Sequence, residues 1–269
     1  MKIRRSCVAG YFYEKDAEAL KKEVQACLPS SPIHREEARG IMAPHAGLRY
    51  SGAVAGSVYA SIIFPDTFIL LGPNHTGEGL PFSLSEADAW ETPLGRIDVD
   101  QELAEELLET IPELCRDEAA HQREHSLEVQ LPFIQMLGAQ TKIVPIILGF
   151  QSVETYCRFG EALSEVVQHF PRKLLIVASS DMTHYEPHEI VQKKDAEAIE
   201  SILALDEMQL MKRVQERNIS MCGYAPTVSM LTCLKQLGAT RGRLVKYQTS
   251  GERSGDYRAV VGYAGIVIQ

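Results

Sequence analysis

The chain has 269 residues, 45% of them hydrophobic and 23% charged, so it can bury a sizeable core without disulfide staples. Its 27 Lys and Arg against 36 Asp and Glu leave a formal charge of −9, which argues against a nucleic-acid or anionic-membrane binder that needs a basic stripe. Six cysteines are scattered without a CxxC pair, the pattern of reduced thiols in a cytosol-like compartment, so a cytoplasmic location is expected.

The basic start MKIRRSCVAGYFY lacks the apolar stretch of roughly 7–15 residues that a signal peptide needs. The longest strongly apolar run, 143–150, contains Pro145 and is far shorter than the roughly 20 residues that span a bilayer. No repeat or linker-like segment interrupts the chain, which is read as one domain over 1–269. In chain order, a buried strand is expected at 40–43, a helix at 51–62 with Ser51 as N-cap, and a second strand at 67–71. The segments 82–90 and 95–99 flank Glu91-Thr92-Pro93-Leu94 and predict a hairpin. Helices are expected at 101–110, 125–137 and 152–169, the last capped by Ser152, with strands at 142–148 and 173–178. Helices at 189–203, 207–217 and 225–237 and strands at 244–249 and 257–268 complete the reading. The alternation predicts an α/β fold with a mixed sheet flanked by helices on both faces.

Three of the apolar runs end alike: 41–44 runs into His45, 69–74 into His75, and 176–180 into Asp181 and His184. Ligands of open α/β sheets bind beyond the carboxyl ends of the strands. If the strands are parallel neighbours, these residues meet in one pocket, where His and Asp suit metal ligation or proton transfer. One such His alone is an ordinary loop residue; three tips with Gly and Pro punctuation point to a site. Gly47 and Gly72 would permit the tight turns or close approach it needs.

Ala43-Pro44-His45-Ala46-Gly47, Gly72-Pro73-Asn74-His75, Glu124-His125-Ser126, Ser179-Ser180-Asp181 with His184, and Cys222-Gly223 occur in that order. Together with the opening Ala9-Gly10-Tyr11-Phe12-Tyr13, they resemble the Memo family across nearly the whole chain. Memo proteins look like class III extradiol ring-cleavage dioxygenases in fold, and prokaryotic members are labelled as component B of the AmmeMemoRadiSam system. The resemblance implies a non-haem site with His45, His75 and Cys222 as ligands of one transition-metal ion, iron first, copper or zinc next. It also implies a functional link to a radical-SAM protein. Asp181 and His184 fall on the remaining pocket positions, His184 as the candidate general acid/base and Asp181 as the group that fixes its tautomer or anchors a metal-bound water. Asn74, Glu124 and His125 are candidate pocket-lining residues. Cys222 stands where the dioxygenases carry a carboxylate, so ring cleavage does not transfer with the fold.

His121-Gln122-Arg123-Glu124-His125 also reads H-x-x-E-H, the inverted zinc-peptidase motif, a remote alternative that requires one helical turn. A plainer reading puts Glu124 and Glu128 on a solvated helix face. The preferred expectation is a metal-dependent redox enzyme or redox-active metal binder acting on an unknown small molecule. The alternative is a non-enzymatic adaptor that takes phosphorylated or anionic peptides in the same cleft. A homodimer is compatible with the acidic surface; nucleic acid and membrane are not expected partners.

Overall fold

In the computed structural model, which describes residues 1–31, 33–138 and 140–269, β1 (Ile3–Arg5) leads into α1 (Ala17–Cys27). Asp16 accepts the N–H groups of Glu18 and Ala19 to cap that helix, which buries Leu20, Val24 and Cys27 along one face. The first apolar runs form β2 (Gly40–Ala43) and β3 (Thr67–Pro73), separated by α2 (Leu48–Ala60). Next come β4 (Phe82–Leu84), β5 (Ala89–Thr92), β6 (Gly95–Asp98) and α3 (Gln101–Thr110). The short β7 (Cys115–Arg116) and α4 (Ala119–Gln122) precede a 3-10 turn at Glu128–Gln130 and α5 (Leu131–Leu137). Then follow β8 (Lys142–Leu148), α6 (Val153–His169), β9 (Leu174–Ser179) and β10 (His184–Glu186). The chain closes with α7 (His188–Leu203), α8 (Glu207–Glu216), α9 (Tyr224–Gln236), β11 (Gly242–Thr249), α10 (Gly251–Ser254) and β12 (Val260–Ile268).

Among the described residues, nine strands form one mixed sheet in the order β10-β12-β2-β9-β3-β8-β4-β7, with β11 also paired to β12. The four strands read from the sequence as buried, β2, β9, β3 and β8, are adjacent and mutually parallel. Their near-continuous apolar sequence follows from burial on both sides. Ile41, Phe68, Leu70, Leu175 and Val177 face α1, α2 and α5. Met42, Ile69, Leu71, Ile176 and Ala178 face α3, α6 and α9 on the other side. Each large aliphatic side chain so buried contributes about 1.5–3 kcal/mol. A small sheet, β1-β5-β6, lies apart. No helix among the described residues is long and apolar enough to cross a membrane.

Several local expectations change. Ser51 lies inside α2 and its hydroxyl donates to the Ala46 carbonyl; the N-cap position belongs to Gly47. The hairpin forms between β5 and β6, but Phe82–Leu84 joins the large sheet beside β8 instead of extending the hairpin arm. The helix expected from residue 125 starts only at Leu131, after the 3-10 turn.

Candidate metal centre

The register of the parallel strands sets Ala43 opposite Ser179 and Leu71 opposite Ala178, so their carboxyl ends lie side by side. His45, His75 and Asp181, which follow those ends, open onto one cavity of about 660 Å³ that His125 and His184 also line. Donor nitrogens of His45, His75 and His125 all lie within 4.8 Å of one another. Their ring centroids are 5.2 Å (His45–His75), 5.5 Å (His45–His125) and 4.6 Å (His75–His125) apart. His125 reaches the group because the penultimate residue of β3 is a glycine: a Cβ on Gly72 would meet Ser126 Oγ at 2.6 Å and Leu127 Cδ2 at 2.7 Å.

Hydrogen bonds fix the inner nitrogens of two of these rings. The Ser179 hydroxyl donates to the Ser126 carbonyl at 2.7 Å and receives Gln130 Nε2 at 2.8 Å. Towards His45 Nδ1, 2.9 Å away, it can therefore only accept. His45 carries its proton on Nδ1 and offers the Nε2 lone pair to the cavity. His75 Nδ1 lies 2.9 Å from Glu124 Oε1, and the same oxygen is 3.4 Å from His125 Nδ1. Glu124 also accepts the backbone N–H groups of His75, His125 and Ser126. Burial alone would raise its pKa, but the hydrogen bond and charge of His75, with those N–H donors, hold it down at about 2. As an ionised acceptor it holds the His75 proton on Nδ1. Burial, then the neighbouring imidazoles, push the His45 pKa well below its ordinary value. Burial also lowers His125. In His75 burial works the same way, but the Glu124 hydrogen bond and charge outweigh it and the pKa is raised.

Cys222 Sγ lies 3.2 Å from His45 Nε2. Burial, then the Asp181 carboxyl beside it, push the thiol pKa up, so the S–H donates to that nitrogen. Cys222 is thus in reach of His45 but is not part of the group of donors within 4.8 Å. Asp181 does not hold His184: its Oδ1 accepts the backbone N–H groups of His45 at 2.8 Å and Ala46 at 3.3 Å, locking the turn after β2. Burial raises its pKa against those hydrogen bonds. The His184 tautomer is set by the Ser220 carbonyl, which accepts from Nδ1 at 2.9 Å. Asn74 and Glu124 are not among the described residues that line the cavity. Asn74 instead builds the turn after His75, accepting from Thr76 and Gly77, and Glu124 stands behind the rings.

The peptidase motif fails on geometry. α4 ends at Gln122, so His121 and His125 do not share a helix. His121 is fully buried, donates Nε2–H to the Ser83 carbonyl and packs edge-on to Trp90. Glu124 and Glu128 are also buried instead of solvated. Glu128 pairs with Arg4 and accepts from Tyr13 and the Cys7 and Val8 N–H groups. Arg4, 4.3 Å from the Trp90 ring centroid, also donates to the His121 and Glu124 carbonyls. This network docks the N-terminal segment and brings Phe12 to 4.6 Å from His125, centroid to centroid. The polar turn after β11 rims the cavity through Ser250, Ser254 and Asp256.

A family model described as Memo-like protein matches residues 4–267. The chain belongs to the Memo-like family. A MEMO1 family protein of Methanosarcina barkeri is 47% identical over 99% of this chain and all of its own length. One from Aquifex aeolicus is 44% identical over 99% of each. The fold of this Memo-like chain is also similar to the crystal structure of an uncharacterized protein from Escherichia coli K12. That match has a TM-score of 0.56 at 12% identity and covers 86% of this chain and all of that one.

Proposed function

We propose that the cavity binds one transition-metal ion and that this Memo-like chain is a non-haem, metal-dependent redox protein acting on a small molecule. The observation that carries the reading is the convergence of three imidazoles within 4.8 Å, two of them anchored through Nδ1 by Ser179 and Glu124. That is the outer-partner arrangement of metal-binding histidines. His45 and His75 are the core donors, with His125 and the Cys222 sulfur as the further donors within side-chain reach. Imidazole with or without thiolate suits iron, copper or zinc. A bound ion would supply Lewis acidity and, for iron or copper, electron transfer. The chain's own contribution is to keep His45 neutral, to place the ionised Glu124 behind the donors, and to hold His184 at the wall as the proton-transfer group.

An adaptor that grips phosphorylated peptides would call for Arg or Lys, and neither is among the described residues lining the cavity. The metal reading is therefore preferred. Its test is anaerobic titration of the metal-free protein with Fe(II), Zn(II) and Cu(I). His45→Ala and His75→Ala should each remove most of the uptake while the fold persists. Uptake unchanged in both variants would overturn the reading.

A further inference from the structure

A second buried carboxyl stands behind the wall that carries Asp181 and His184. Asp195, on α7, is fully buried. Its Oδ1 accepts the Thr183 backbone N–H at 3.0 Å and the Thr183 hydroxyl at 2.6 Å. Its Oδ2 accepts the Tyr247 hydroxyl, from β11, at 2.8 Å. These are three neutral donors. β12 closes the other side, since a Cβ on Gly262 would collide with the Asp195 carboxyl. Gly262 N–H donates to the Thr183 carbonyl, and Met182 N–H donates to the Gly262 carbonyl.

The turn between β9 and β10 is thus clamped from two sides, by β12 backbone and by Asp195. Immediately beyond the clamp the strand pairing is irregular. The pairing of β10 with β12 shifts register between His184 and Glu186, and Tyr185 sits at φ 58°, a conformation that bulky side chains rarely adopt. His184 pairs with Val261, but the ladder loses register directly after it. Ser220 orients the ring locally, but the chain that delivers it there is held at Thr183. Burying a carboxyl among neutral donors is costly, and the cost shows in its acidity: burial pushes Asp195 up to about 6 despite its three hydrogen bonds.

We propose that Asp195 is a positioning residue: by taking both donors of Thr183 it fixes the turn after β9 and so sets the His184 imidazole in the cavity wall. The proposal rests on the reading of His184 as the pocket's proton-transfer group. Asn at 195 keeps an oxygen for Thr183 and turns an N–H₂ towards Tyr247, whose hydroxyl can accept. Ala leaves both Thr183 donors without a partner.

The test uses the full chain with isotope-labelled histidine, comparing wild type, Asp195→Ala, Asp195→Asn, Thr183→Val and a remote buried control, Thr67→Val, which loses its bond to Asp100. The readouts are the His184 ring resonance and the rate of His184 carbethoxylation by diethylpyrocarbonate, with thermal melts to confirm folding. Asp195→Ala should move the resonance and raise the rate several-fold, Thr183→Val should do so partially, and Asp195→Asn should restore both. The control should change neither. A His184 signal unmoved in Asp195→Ala and Thr183→Val overturns the proposal, as does Asp195→Asn behaving like Asp195→Ala. If Asp195→Ala does not fold, Thr183→Val decides. Metal titration of the wild type is scored separately, so a failure to bind metal counts against the function proposed above and not against this clamp.

Discussion

Replacing His121 with glutamine should flatten the acid side of the stability curve. His121 is buried, gives its Nε2–H to the Ser83 carbonyl, and leaves Nδ1 without a partner among the described residues. Burial first, with the Arg4 charge adding to it, pulls its pKa from 6.5 to about 4 in the folded chain. The folded ring holds a proton less tightly than the unfolded ring, so unfolding takes up protons between those two values. The stability involved is fully present above pH 6.5 and is lost as pH falls through the window towards 4. Carrying the gap through the linkage relation gives a loss of about 2 kcal/mol between pH 7 and pH 5, and about 3 kcal/mol once both states are protonated. The substituted glutamine would still reach Ser83 with an amide N–H but cannot titrate. Urea unfolding at pH 7, 6 and 5 should show the wild type losing about 2 kcal/mol more than His121→Gln across that range. Lost packing against Trp90 shifts the variant's curve without changing its slope. Parallel curves for the two proteins would refute the argument, because His45 and His125, also depressed by burial, titrate in both.

Glu124→Gln should weaken metal binding about 10- to 100-fold, since one amide oxygen cannot replace a carboxylate that holds His75 and three backbone N–H groups. Chelator competition measures this, and an unchanged affinity would count against the role of Glu124 behind the rings. Arg4→Met strands the buried Glu128 and should cost about 3–5 kcal/mol in urea unfolding; a loss below about 1 kcal/mol would mean the pair behaves like a surface ion pair.

The strand tips are legible because each is an apolar run that ends in Pro or Ser and then a polar donor. Burial of β2, β9 and β3 on both faces writes that pattern directly into the sequence. His125 as a third imidazole is not legible in the same way. Its place depends on Gly72 admitting Ser126 and Leu127 and on a carboxylate shared with His75, contacts between segments about fifty residues apart. Glu128 reads as solvated because a charge at helical spacing carries no mark of burial; only the fold brings Arg4 and Tyr13 to it. Ser179 and Gln130, which orient His45, are ordinary polar residues in sequence and acquire meaning through the Ser126 carbonyl. The strands Ile3–Arg5 and Cys115–Arg116 are too short to show alternation. α1 has an N-cap at Asp16 and buried residues at helical spacing, Leu20, Val24 and Cys27, but the charges that fill the rest of the segment mask it and no helix is expected there from the sequence.

The measurement that bears most directly on the metal centre is elemental analysis of the protein after strictly anaerobic purification, beside a His45→Ala/His75→Ala double variant prepared identically. A metal centre at these residues predicts close to one iron, copper or zinc per wild-type chain and almost none in the variant. Equal metal content in the two proteins, or none in either, would contradict it.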